Sequence, residues 1–271
     1  MYPAGGAAWD DDGRRSVGAM ANSHWSLDGD RHLIAHRGAS AFAAENSPAA
    51  IEEAARRGAT DVEIDLNMTA DGVLVAVHDG IVHTGTTNDD HARWISQVTA
   101  DELDAASGGR VSRLTEILAT VADTDLGLYL DVKQLLPGGA VTLREQLERV
   151  GLVDRTVGAS FRSDLALTLK REAGLTTSVL FHDPGIDLHS LVAGTDADFV
   201  HPCFDVFPDP FRFFDEAWVE AALGVGCGLI AWNTLDVSVA RRIYELGAHG
   251  VCSDDPEVLT RAVVGFRREP H

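Results

Sequence analysis

From residue 32 onward the sequence repeats one device, a short apolar run of strand character followed by an amphipathic helical run. "HLIAHRG" leads into "SPAAIEEAARRG", "GLYLDVK" into "VTLREQLERVG", "TVGASF" into "SDLALTLKREAG", and "GLIAWNT" into "VSVARRIYELG". Side chains alternate across a strand and recur every three to four residues on a helix, so the two rhythms separate cleanly. Counted through to "HGVCSDD" and "PEVLTRAVVGF" there are eight such units. Strand-helix repeats of this size make a parallel sheet covered by helices, and about eight of them close into a (β/α)8 TIM barrel. The competing open, doubly wound sheet more often carries a glycine fingerprint after its first strand, and "HRGAS" is not one.

The first helix starts where Ser47 can cap and Pro48 suits the first turn, and it stops at Gly58. Asp71-Gly72 turns the second strand into a short hairpin partner, "VLVAVHD". A polar insertion of about 80–113 then delays the next helix. The barrel is therefore expected over 32–271, with residues 1–31, Gly- and Asp-rich, as a flexible N-terminal leader.

The balance of 22 Lys+Arg against 42 Asp+Glu gives −20 at pH 7, a surface that repels nucleic acid and anionic membranes. No apolar run approaches the roughly 18 residues of a membrane span, and the leader is not a signal peptide, so a cytoplasmic location is expected. Cys203, Cys227 and Cys252 lack metal-type spacing and read as buried, reduced hydrophobes.

"TDVEIDLNMT" puts Val62, Ile64 and Leu66 on one face of a strand and Asp61, Glu63 and Asp65 on the other. In a barrel the apolar face meets the helices and the acids point inward or toward the mouth. Leu128, Leu130 and Val132 alternate in the same way with Tyr129, Asp131 and Lys133. His36 and Arg37 end the first strand, and His78 ends the hairpin strand. Taken singly, each group reads as a solvated or hydrogen-bonded residue. Together they deliver polar chemistry to the C-terminal end of one barrel, where such folds keep their active sites. Crowded carboxylates resist desolvation, and a hard divalent cation relieves them. Glu63, Asp65 and Asp131 bring about −3, a cation +2, and Arg37 with Lys133 a further +2. The site turns slightly positive inside a negative protein, which suits a phosphate monoanion.

These motifs resemble the glycerophosphodiester phosphodiesterase family, across nearly all of 32–266. The family's opening signature is matched by His36-Arg37-Gly38 and Glu45-Asn46-Ser47, its Glu-x-Asp by Glu63 and Asp65, and its His-Asp by His78 and Asp79. The insertion, the "LTEIL" return, "ASF" at 159–161, Trp232 and "SDDP" at 253–256 follow in the family's order. One position departs: the usual Glu-x-Lys is Asp131-Val132-Lys133, with an Asp similar to that of the sphingomyelinase D relatives.

The resemblance implies that His36 and His78 are the general acid/base pair and that Glu63, Asp65 and Asp131 hold Mg²⁺ or Ca²⁺. Arg37, Lys133 and Glu45 would meet the phosphoryl group or the cation. Phe161 and Trp232 would shape the pocket, and the insertion would partly cover it. The implied reaction is metal-dependent hydrolysis of a small glycerophosphodiester to glycerol phosphate and an alcohol. Two alternatives stay open: a phospholipase-D-like enzyme forming a cyclic phosphate from lysophospholipids, and a non-catalytic barrel that binds a phosphorylated ligand. His182, His201 and Asp205 read first as structural groups and second as contacts to the leaving alcohol.

Overall fold

The computed structural model describes residues 24–85, 91–204, 207 and 209–265. Its strands are β1 (His32–Ala35), β2 (Asp61–Met68), β3 (Leu74–Ala76), β4 (Ile81–His83), β5 (Ala92–Trp94), β6 (Ser112–Arg113), β7 (Gly127–Val132), β8 (Thr156–Ser160), β9 (Thr176–Phe181), β10 (Phe199–Pro202), β11 (Gly228–Ala231) and β12 (Gly250–Ser253). Strands β1, β2 and β7 to β12 pair in parallel, and β1 bonds to both β12 and β2, which closes the ring. The (β/α)8 barrel is thus the fold.

The helices are α1 (Pro48–Arg56), α2 (Ala100–Ser107), α3 (Leu114–Ala122), α4 (Gly139–Val150), α5 (Ser163–Thr168), α6 (Leu188–Thr195), α7 (Glu216–Gly224), α8 (Val237–Glu245) and α9 (Pro256–Val263). All but two follow a barrel strand directly: α2 belongs to the insertion, and α3 comes after its last strand, β6. Ser47 caps α1 by accepting from the Ala50 N–H. Asp187, Asp215, Asp236 and Asp255 cap α6 to α9 in the same way, so part of the acid excess serves helix N-termini.

The predicted alternation on β2 and β7 is realised. Val62, Ile64, Leu66, Leu128, Leu130 and Val132 lie in one core with Ile51, Ile117, Leu118 and Leu143 from the helices. Inside the ring a second layer is built from Ile34, Tyr129, Val157, Leu180, Phe199 and Ile230. The insertion packs Ile95, Val98 and Leu103 against Val75 of β3 in a small core of its own, beside the β2–β3–β6 edge. Residues 86–90, in the middle of the expected cover, lie outside the described residues.

The leader needs a correction over 24–31; residues 1–23 lie outside the described residues. Trp25 is fully buried among the residues lining the ring, stacked on His32 at 4.1 Å, and its indole N–H donates to the Arg155 carbonyl at 3.0 Å. His32 and Gly127 open their strands, so this plug closes the N-terminal floor of the barrel. One large aromatic with a satisfied polar edge is enough to close it, although the surrounding sequence carries no apolar pattern.

Candidate active site

Strand β2 gives its three acids three different surroundings. Asp61, at the floor, pairs in register with Gly127, whose missing side chain makes the room: a Cβ there would lie 2.1 Å from Asp61 Oδ1. His24 Nε2 and His32 Nδ1 sit 2.6 and 2.8 Å from its two oxygens, and the Thr60 hydroxyl donates to it at 2.6 Å. Burial pushes the Asp61 carboxyl up, but His32 and His24 outweigh it and hold the group well below the usual carboxylate range. This trio could by proximity grip a cation, yet its contacting atoms already satisfy one another, and it belongs to the plug.

Glu63 and Asp65 lie nearer the other end of the strand, where Asp65 pairs in register with Asp131. Oxygens of Glu63, Asp65 and Asp131 come within 4.8 Å of one another, and all three residues are buried. Asp65 is the most tightly held. The Asn46 side chain donates to its carboxylate and accepts from its backbone N–H, both at 2.9 Å, while Lys133 Nζ lies 2.9 Å and Arg37 Nε 3.2 Å away. Burial pushes Asp65 up, but Lys133 and these partners hold it below the ordinary range. Glu63 moves the opposite way, driven well up by burial and then by Asp65 and Asp131. Asp131 is raised by burial despite its ion pair with Lys133.

Two left-handed backbone residues make the turn after β1. Arg37 has φ 55°, and Gly38 has φ 80° with a hypothetical Cβ only 2.5 Å from the Ala50 side chain. The turn aims the Arg37 N–H at Glu63 Oε2 (2.8 Å), and its guanidinium reaches Glu45 at 2.9 Å. His36 presents Nε2 at 3.9 Å from Glu63 Oε2, while its Nδ1 lies 2.6 Å from Asp254 Oδ1. His78, at the partly exposed rim, contacts Asp79 at 3.0 Å and is close enough to Asp131 to bias its charge. Trp232 leans on His36 with ring centroids 5.2 Å apart, and Phe161 lies between Trp232 and Lys133, 6.1 Å from one and 5.8 Å from the other.

All ten candidate residues therefore gather at the C-terminal end of the barrel. Reasoning from sequence missed the roles of Asn46 and Asp254, though both sit in quoted motifs. It also missed Tyr129, buried beneath Asp131 with its hydroxyl 2.7 Å from His201 Nδ1. Asp205 lies outside the described residues.

The donor set suits a hard divalent cation. It is all oxygen, it is buried, and Asp131 Oδ1 accepts no hydrogen bond although it is shielded from solvent. A barrel with a carboxylate triad, two lysine or arginine cations and imidazoles at one mouth defines the class of phosphate-ester hydrolases.

The glycerophosphoryl diester phosphodiesterase family profile matches residues 36–258, and the chain belongs to that family. It is 26% identical over 243 residues to a glycerophosphodiester phosphodiesterase of Caldanaerobacter subterraneus subsp. tengcongensis, covering 85% of this chain and 97% of that one. Its fold is similar to that of a crystal structure titled putative glycerophosphoryl diester phosphodiesterase from Silicibacter pomeroyi: TM-score 0.71, 23% identity, covering 88% of this chain and 94% of that one. An Oleispira antarctica phosphodiesterase, solved with the product sn-glycerol-3-phosphate, superposes with TM-score 0.70 at 24% identity, covering 85% of this chain and 96% of that one.

Proposed function

We propose that this phosphodiesterase cleaves small glycerophosphodiesters to glycerol phosphate and an alcohol, using a bound divalent cation and His36 and His78 as the acid/base pair. One observation carries the reading: His36 Nε2 faces the Glu63 carboxylate at 3.9 Å, beside two further buried carboxylates. The similarity to the Caldanaerobacter glycerophosphodiester phosphodiesterase and to the Oleispira phosphodiesterase solved with sn-glycerol-3-phosphate supports it.

Glu63, Asp65 and Asp131 would hold Mg²⁺ or Ca²⁺, which when bound neutralises phosphoryl charge and acidifies a hydroxyl. The remaining work falls to the chain. Arg37 and Lys133 receive the phosphoryl oxygens, Arg37 as a planar fork already steadied by Glu45. His36, oriented through Nδ1 by Asp254, takes the proton of the substrate's 2-hydroxyl at Nε2 as that oxygen attacks phosphorus. His78, on the partly exposed rim, gives a proton to the departing alcohol. Water then opens the cyclic phosphate, with the two imidazoles exchanging roles.

Asp131, a methylene shorter than the usual Glu, favours a second reading in which the cyclic phosphate is released instead. Phosphorus NMR of the products from glycerophosphocholine separates the two. His36→Ala and His78→Ala should each lose nearly all turnover with the fold intact; wild-type activity in either variant removes its assigned role.

A further inference from the structure

The insertion carries an apolar face that the acid/base chemistry does not use. Ile81 and Trp94 are partners in register across the antiparallel pair β4–β5, so their side chains stand side by side on one face of that ribbon. Both are exposed, 43% and 53%, and Trp94 is the one exposed tryptophan among the described residues. The opposite face is occupied within the insertion. There Val82 packs against its small core, and the Arg93 guanidinium donates to the Gln97 carbonyl and, at 3.4 Å, to Glu102. Exposed apolar residues scattered singly are ordinary, but a Trp–Ile pair presents a surface.

Its position ties that surface to the reaction. The Trp94 ring lies against Gly80, where an added Cβ would stand 3.4 Å from Cζ3, and the Ile95 N–H donates to the Gly80 carbonyl at 2.9 Å. Gly80 is two residues past His78, the imidazole that serves the departing alcohol. Between them Asp79 keeps a carboxylate that is 82% exposed and touches His78 through one oxygen.

Chemistry narrows what this surface can hold. An indole face attracts cations, and a carboxylate nearby adds to the attraction. Ile81 offers hydrocarbon alone, which suits a cation sheathed in carbon and gives nothing to the N–H groups of a primary ammonium or the hydroxyls of a polyol. Asp79 turns anions away, in a chain whose net charge is already −20. A quaternary ammonium meets all three conditions.

We infer that Trp94 is a specificity-determining residue, a platform for the trimethylammonium end of a choline-type leaving alcohol. The inference rests on the phosphodiesterase reading and sets the substrate class on the leaving side: cationic, methyl-sheathed alcohols ahead of neutral ones.

The test compares glycerophosphocholine with its neutral isostere, glycerophospho-3,3-dimethylbutanol, in which carbon replaces the charged nitrogen, at saturating Mg²⁺. Glycerol, phosphate and shape are the same in both, so only the charge differs. Wild type should favour glycerophosphocholine by about 5-fold in kcat/KM, carried by KM, the weight of a cation on an aromatic face at a half-exposed site. Trp94→Leu, which keeps apolar contact with Ile81 and Gly80 but removes the ring, should bring the ratio within about 2-fold. Trp94→Phe should fall between. Independently of folding in the variants, choline should inhibit wild type about 5-fold more strongly than 3,3-dimethylbutanol. No preference in wild type, full preference in Trp94→Leu, or equal inhibition by the two alcohols overturns the platform. Equal turnover of both substrates leaves the phosphodiesterase reading standing, whereas inert wild type with Mg²⁺, Ca²⁺ and Mn²⁺ removes that reading and the platform with it.

Discussion

His36 Nδ1 lies 2.6 Å from Asp254 Oδ1, although 218 residues separate them in sequence. The contact closes the barrel chemically as β1 and β12 close it mechanically, since the two residues follow neighbouring strands. It fixes the imidazole so that Nε2 faces the carboxylates.

Asp254→Asn should therefore slow turnover on the order of 100-fold, within the range lost when general acid/base catalysis is impaired. The side chain is one-third exposed, so thermal stability should barely move. Steady-state kinetics alongside a melting curve decides this; unchanged kcat would mean that His36 needs no orientation.

Asn46→Ala should remove both bonds to Asp65 and leave buried polar groups unpaired, costing about 1–3 kcal/mol per group. Urea denaturation measures the loss. Cation affinity should fall as well, because Asp65 is then free to rotate.

Mg²⁺ or Ca²⁺ should raise the melting temperature, by an amount equivalent to about 2.7 kcal/mol at a hundredfold excess over Kd. EDTA should reverse the shift and abolish turnover. Glu63→Gln and Asp131→Asn should erase most of the shift. A rise of equal size in both variants would place the cation elsewhere.

At the floor, Asp61 couples stability to pH. Its folded pKa lies below the unfolded value of about 3.9. The unfolded chain therefore takes up the proton first, so the contribution is full above about pH 5 and is lost on acidification below it. Asp61→Asn should flatten that acid limb and cost about 3 kcal/mol at pH 7, the scale for breaking a buried pair. Trp25→Ala, at the same pole, should cost about 3–5 kcal/mol, and kcat should hold while the protein stays folded.

The barrel was legible because β2 and β7 write their two faces in period two and because eight repeats admit few topologies. The carboxylate cluster was legible for the same reason: inward parity on neighbouring strands brings Asp65 and Asp131 together. What stayed hidden depends on single residues with no period. Trp25 anchors the floor from a stretch whose glycines and acids resemble a free tail. Asp254 and Asn46 act through one hydrogen-bonding group each, and nothing in a linear sequence marks which distant imidazole or carboxylate they meet.

The plug under the barrel has a kinetic consequence. With Trp25, His32 and Asp61 packed at one pole, the described residues leave the opposite rim as the doorway. On the proposed two-step route, the alcohol set free in the first step departs past the rim before water arrives by the same way for the second. Any bulky leaving group that lingers there delays hydrolysis and lengthens the life of the cyclic phosphate, so the ratio of ring to open product should track the size of the alcohol.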